Sequence, residues 1–174
     1  MMKPDPMSDQ TIAVRRLTSQ DAVLYRALRL EALQNNPEAF GSIHSAENGR
    51  PIAWFAERLD RTAVFGAFRD SALVGLAGFH VQEGPKVAHK GRLWGMYVRP
   101  DARKGRIGTK LVEAVIDHGR QSVELIQLTV VSENKPARAL YESLGFSEYG
   151  LEKNALKQGG RYFDEVLMVK RLSV

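Results

Sequence analysis

Apolar positions alternate from Ile12 to Leu17, with Ile12, Val14 and Leu17 set against Arg15 and Arg16, which predicts a first strand. Thr18-Ser19-Gln20-Asp21 then offers a hydroxyl cap followed by an acidic residue, a helix start. The helix it opens carries Val23, Leu24, Leu28, Leu30 and Leu33 at helical spacing and ends near Asn35-Asn36-Pro37. Pro51 opens a second helix with Ile52, Phe55, Ala56 and Leu59 on one face. Three strand-like runs follow, Ala63 to Phe68, Ala72 to Val81 and Gly91 to Val98, parted by Arg69-Asp70-Ser71 and Gln82-Glu83-Gly84-Pro85. A third helix is predicted from Arg106 to Gln121, burying Ile107, Leu111 and Val115. After it come a β-branched run from Leu125 to Val131, a helix from Asn134 to Leu144 stopped by Gly145, and two strands around Phe146–Glu152 and Arg161–Leu172. The order β-α-α-β-β-β-α-β-α-β-β makes an α/β chain with a mixed sheet and helices on both faces. Residues 10–174 read as one domain, and residues 1–9 as a flexible N-terminal tail.

Composition narrows the setting. The chain has 174 residues, enough for one sizeable core, and its 44% hydrophobic and 26% charged content is ordinary for a globular protein. No apolar run approaches membrane-span length, and the N-terminus lacks a secretory h-region. With no cysteine there is no disulfide framework and no cysteine nucleophile, and the expected location is cytoplasmic. The four histidines show no metal-ligand spacing, so no metal is expected. The net charge of +5 is dispersed except at one segment, and no aromatic-interleaved basic stripe marks a nucleic-acid surface.

That one segment carries the chemistry. Trp94-Gly95-Met96-Tyr97-Val98-Arg99-Pro100 ends a strand at a proline, and Asp101-Ala102-Arg103-Lys104-Gly105-Arg106-Ile107-Gly108-Thr109-Lys110 opens a helix through a turn rich in cations and glycine. A helix start presents unpaired amides and positive dipole, and five cations crowd the same stretch, so the expected guest is a phosphate or pyrophosphate. Gly105-Arg106-Ile107-Gly108 fits neither the nucleotide-triphosphate loop nor the dinucleotide fingerprint. It resembles the acyl-CoA-binding loop of the Gcn5-related N-acetyltransferases, [Q/R]-x-x-G-x-[G/A], with Arg103 first, Gly108 last, and Arg106 where the family most often has glycine. Asn134 to Phe146 resembles the family's second signature, N-x-x-A-x-x-L-Y-x-x-x-G-F, with every spacing intact.

The resemblance implies an acyl-CoA N-acyltransferase fold that moves the acetyl group of acetyl-CoA to a primary amine by direct attack in a ternary complex. It implies that amides from Lys104 through Gly105, Arg106, Ile107 and Gly108 to Thr109 cradle the pyrophosphate, with Arg103 and Arg106 adding charge. Met96, Tyr97 and Val98 would pair their backbone with the pantetheine arm, Val98 N–H serving as oxyanion donor. Tyr141 would protonate the leaving thiolate, which suits a phenol near pKa 10 and a thiol near 8.5. Asn134 and Ala137 complete the cofactor set, Asn134 reading equally as a helix cap. The strand Gly91 to Val98 offers no carboxylate, which leaves the general base open among Glu31, Glu47, Glu83 and the histidines. Glu31, Phe40 and Trp94 are candidate acceptor contacts, with Phe163 a further aromatic wall. The expected partner is a small-molecule or peptide amine, without nucleic acid or membrane, and such folds commonly dimerise through the last strands. A non-catalytic acyl-CoA-binding module on the same fold is the alternative.

Overall fold

A computed structural model describes residues 11–173; the tail assigned to residues 1–9 lies outside the described residues. Its strands are β1 (Ile12–Arg16), β2 (Ala63–Arg69), β3 (Ala72–Val81), β4 (Lys90–Val98), β5 (Leu125–Val131), β6 (Ser147–Gln158) and β7 (Arg161–Arg171). Its helices are α1 (Ala22–Asn35), α2 (His44–Asn48), α3 (Ile52–Arg61), α4 (Ile107–Gly119) and α5 (Lys135–Ser143). The strands form one seven-stranded sheet in the order β1-β2-β3-β4-β5-β7-β6, so the mixed sheet and its helices stand as expected. Every neighbouring pair is antiparallel except β4 and β5.

That exception positions the site. β4 and β5 pair in register only at Lys90↔Leu125, Gly91↔Ile126 and Arg92↔Gln127. Past Arg92 and Gln127 the two strands part. β4 also bends there: Leu76 faces Tyr97 while Gly78 faces Trp94, so Ala77 alone opposes Gly95 and Met96 in a β-bulge. Gly95 takes φ +64°, a left-handed value that glycine adopts without steric cost.

Two apolar clusters cover the sheet. On one face α4 buries Ile107, Leu111, Val112 and Val115 against Ala77, Phe79, Ile126, Leu128 and Met168. On the other, α1 and α3 bury Tyr25, Leu28, Phe55 and Leu59 against Val64, Phe68, Leu73 and Leu76. The predicted stripe of α1 needs correcting, since Val23 is 69% exposed and Leu24 45%. The face that docks is Ala22, Tyr25, Leu28, Arg29, Ala32 and Leu33, with an arginine inside the stripe. Arg29 is tolerated there because Glu47 accepts from its Nε and Nη2, both at 3.0 Å, and from Arg58 at 3.3 Å. Glu47 sits on α2, whose five residues are too few to show a period and were absent from the predicted elements.

β6 runs to Gln158, well past its predicted end, because a bulge with Asn154 at φ +52° carries the strand on rather than ending it. No helix among the described residues is long and apolar enough to cross a membrane.

Candidate active site

A cleft of about 860 Å³ fills the gap where β4 and β5 part. Met96, Tyr97 and Val98 form one wall, Val131 and Asn134 the other, and the start of α4 and the inner face of α5 close the end. Arg99 N–H donates to Val74 O at 2.9 Å, which sets the alternation along β4. Tyr97 directs its amide toward β3, whereas the amides of Met96 and Val98 face the gap. The cleft therefore presents an unpaired strand edge.

The connection from β4 to α4 is a 3₁₀ turn over Pro100–Gly105, and Arg106 caps α4 with φ 56° and ψ 24°. This left-handed residue stands where glycine is usual in the resembling motif, and the conformation is the reason glycine suits that position. The first helical bond is Lys110 N–H to Arg106 O at 3.1 Å, so the amides of Ile107, Gly108 and Thr109 have no intrahelical partner. Arg103 donates from Nε to Val98 O at 2.9 Å and lies over the Tyr97 ring, fixing one cation at the mouth. A Cβ on Gly108 would come within 3.1 Å of both Leu140 Cδ2 and Met96 Cε, closing the cradle from inside.

α5 supplies the far wall. Asn134 accepts from Ala137 N–H at 3.3 Å, so its side chain acts as the helix cap, and Pro136 occupies the first turn. Tyr141 is 5% exposed, packs edge-on to Phe146, and lines the cleft. Burial alone raises its phenol well above the ordinary value, so it stays protonated through the neutral range. On the side of α1 the Tyr97 hydroxyl donates to Glu31 Oε2 at 3.1 Å, tying β4 to α1.

The cleft brings together Met96, Tyr97, Val98, Arg103, Arg106, Gly108, Thr109, Asn134, Ala137, Tyr141, Phe40 and Phe163. Lys104, Gly105 and Ile107 do not line it, and the Ile107 side chain is core at 1% exposure. Glu31 and Trp94, the other candidate acceptor contacts, do not line it either. Glu31 holds the Tyr97 hydroxyl, and Trp94 packs over Gly78, where a Cβ would overlap its ring, beside Arg29 and Arg58. His118, one of the histidines left open as a base, stands edge-on to Phe65 and Phe79. Burial first, then the Arg16 charge, holds its pKa below the ordinary value. Sequence reasoning missed the 3₁₀ turn Pro37–Ala39 and the Glu133–Arg161 ion pair as cleft walls. The turn's only signal was its proline.

The sequence model of the Acetyltransferase (GNAT) family matches residues 26–146, which run from within α1 through β5 and α5 and include the loop. The chain belongs to the GNAT acetyltransferase family. This GNAT chain is 30% identical over 151 residues to a mycothiol acetyltransferase of Streptomyces scabiei, covering 83% of itself and 46% of that protein. It is 32% identical over 89 residues to the ribosomal protein bS18 alanine N-acetyltransferase of Salmonella typhimurium, covering 51% of itself and 60% of that protein. The GNAT chain thus spans about half the length of the mycothiol acetyltransferases it matches. Its fold superposes on the yncA protein of Salmonella typhimurium, solved with its cofactor acetyl-CoA. The TM-score is 0.82 at 20% identity, with 94% of this chain and 95% of that chain covered.

Proposed function

We propose that the chain is an acetyl-CoA-dependent N-acetyltransferase acting on a primary amine of a small molecule or peptide. The observation that carries the reading is the unpaired edge of β4, facing a cleft whose mouth is a cationic helix start and whose inner wall holds a buried tyrosine. The residues present fit acetyl-CoA: the cradle at Gly108 accepts a pyrophosphate only because no side chain fills it, and Arg103 and Arg106 supply opposing charge. Bound there, acetyl-CoA supplies the activated acyl group.

The protein's own groups do the rest. The gap-facing amides of Met96 and Val98 hold the pantetheine arm as an added strand would, and the Val98 N–H meets the oxygen that becomes negative on attack. Tyr141, kept protonated by burial, gives its proton to the departing sulfur. No covalent enzyme intermediate is needed. The relatives acetylate acceptors as different as mycothiol and a ribosomal protein's alanine, so the acceptor panel should include a peptide with N-terminal alanine, amino sugars and free amino acids.

Titrating acetyl-CoA by calorimetry and following thiol release over that panel tests the reading. Micromolar binding that weakens with salt, with thiol release on at least one amine, is the expected result. Binding without thiol release on any amine would make the chain an acyl-CoA-binding module instead.

A further inference from the structure

A primary ammonium has no free lone pair until a base removes a proton, and β4 carries no carboxylate in its last eight residues, 91–98. The glutamates singled out from the sequence are engaged or distant. Glu47 is held by Arg29 and Arg58, Glu31 by the Tyr97 hydroxyl, and Glu83 lines a separate hollow beside the far end of β3. A different carboxylate stands one strand beyond the cleft wall, on β7. Glu165 of β7 lies directly opposite Val131 of β5, and Val131 and Phe163 both line the cleft. Directly opposed residues share a sheet face, as do residues two apart on a strand, so Glu165 is on the face of Phe163, Val131 and Thr129. Val166 and Met168 point the other way into the core beneath α4, the side on which Tyr141 is packed.

The groups facing Glu165 are Thr129 from β5, Arg92 from β4 and Glu152 from β6. The Thr129 hydroxyl accepts from Arg92 Nη2 at 3.4 Å. Glu152 stands opposite it across β6–β7, an unfavourable like-charge pair. Half-burial first, then Glu152, raise the Glu165 pKa against the pull of Arg92 and Thr129.

We propose that Glu165 is the general base of the transfer, taking the acceptor's proton on the sheet face opposite Tyr141. The proposal rests on the acetyltransferase reading. One proton of the ammonium passes to the Glu165 carboxylate and on to water, freeing the nitrogen lone pair. The lone pair forms the C–N bond, the C–S bond then breaks, and Tyr141 protonates sulfur. A second proton leaves nitrogen as the amide forms and balances the one that Tyr141 delivered.

The test is the pH profile of kcat/KM for wild type, Glu165→Gln, Glu165→Asp and Glu38→Gln, with the amine turned over fastest in the panel. Acetyl-CoA affinity is measured alongside. Glu165→Gln should bind acetyl-CoA as wild type does, lose about 10²-fold in kcat at neutral pH, and lose the rising limb set by the carboxylate. Its defect should shrink as pH approaches the pKa of the amine, and Glu165→Asp should regain part of the rate. A wild-type profile in Glu165→Gln, or loss of the limb in Glu38→Gln instead, overturns the assignment and leaves the transferase reading standing. Acetyl-CoA binding with no turnover of any amine by wild type overturns both.

Discussion

At the scale of single residues, two positions separate binding from chemistry. Arg106 is held left-handed, which costs a non-glycine residue about 1–2 kcal/mol, so its retention needs a return in charge. Arg106→Gly should raise the melting temperature while weakening acetyl-CoA about 3- to 10-fold, a loss that shrinks at high salt, as an exposed charge contact does. Equal affinity of the variant and wild type at low salt would remove Arg106 from the phosphate contact. Tyr141 makes the converse case. Tyr141→Phe keeps the edge-on packing with Phe146 and should leave acetyl-CoA affinity within twofold while lowering turnover about 10²-fold. Because burial raises the phenol, wild type should show no falling limb from this group below its ordinary pKa near 10.

At the scale of elements, the turn into α4 decides whether a cosubstrate fits. Gly108→Glu would push a carboxylate between Leu140 and Met96 and toward the pyrophosphate, so calorimetry should register no acetyl-CoA binding while circular dichroism stays unchanged. Much of this was legible in the chain. Tyr97-Val98-Arg99-Pro100 announced the strand end, the cations and glycines announced the anion site, and the Asn134 to Phe146 spacing located Tyr141. What was hidden had physical reasons. The bulge at Gly95 lies in a run that reads as unbroken strand, because one extra residue alters pairing and not hydrophobicity. Arg29 lies outside the apolar pattern although its charge is matched by Glu47, eighteen residues on, a pairing no local pattern displays. Glu165 is not marked as a base by any local pattern, because its position opposite Val131 depends on β7 inserting between β5 and β6.

At the scale of the whole molecule, the Glu47 carboxylate binds α2 to α1 and α3. Burial pushes its pKa up, but the hydrogen bond and charge of Arg29, with the charge of Arg58, bring it net below the ordinary value. A lowered folded-state pKa contributes stability above the unfolded value near 4.3 and loses it as pH falls through the folded value. Removing the partner strands Arg29 in a dry site, so Glu47→Ala should cost about 3–5 kcal/mol in denaturant unfolding, and its acid limb should flatten. A cost below about 1 kcal/mol would mean that water reaches the pair. The brief pairing of β4 with β5 has a wider consequence. Among the described residues, the strand pairing between β1 to β4 and β5 to β7 is confined to three register pairs. The sheet is therefore two plates meeting at a short seam, and a ligand lying along β4 becomes the keystone between them. Amide exchange at Met96 and Val98 should slow sharply when acetyl-CoA is added, while exchange in β2, far from the seam, stays unchanged.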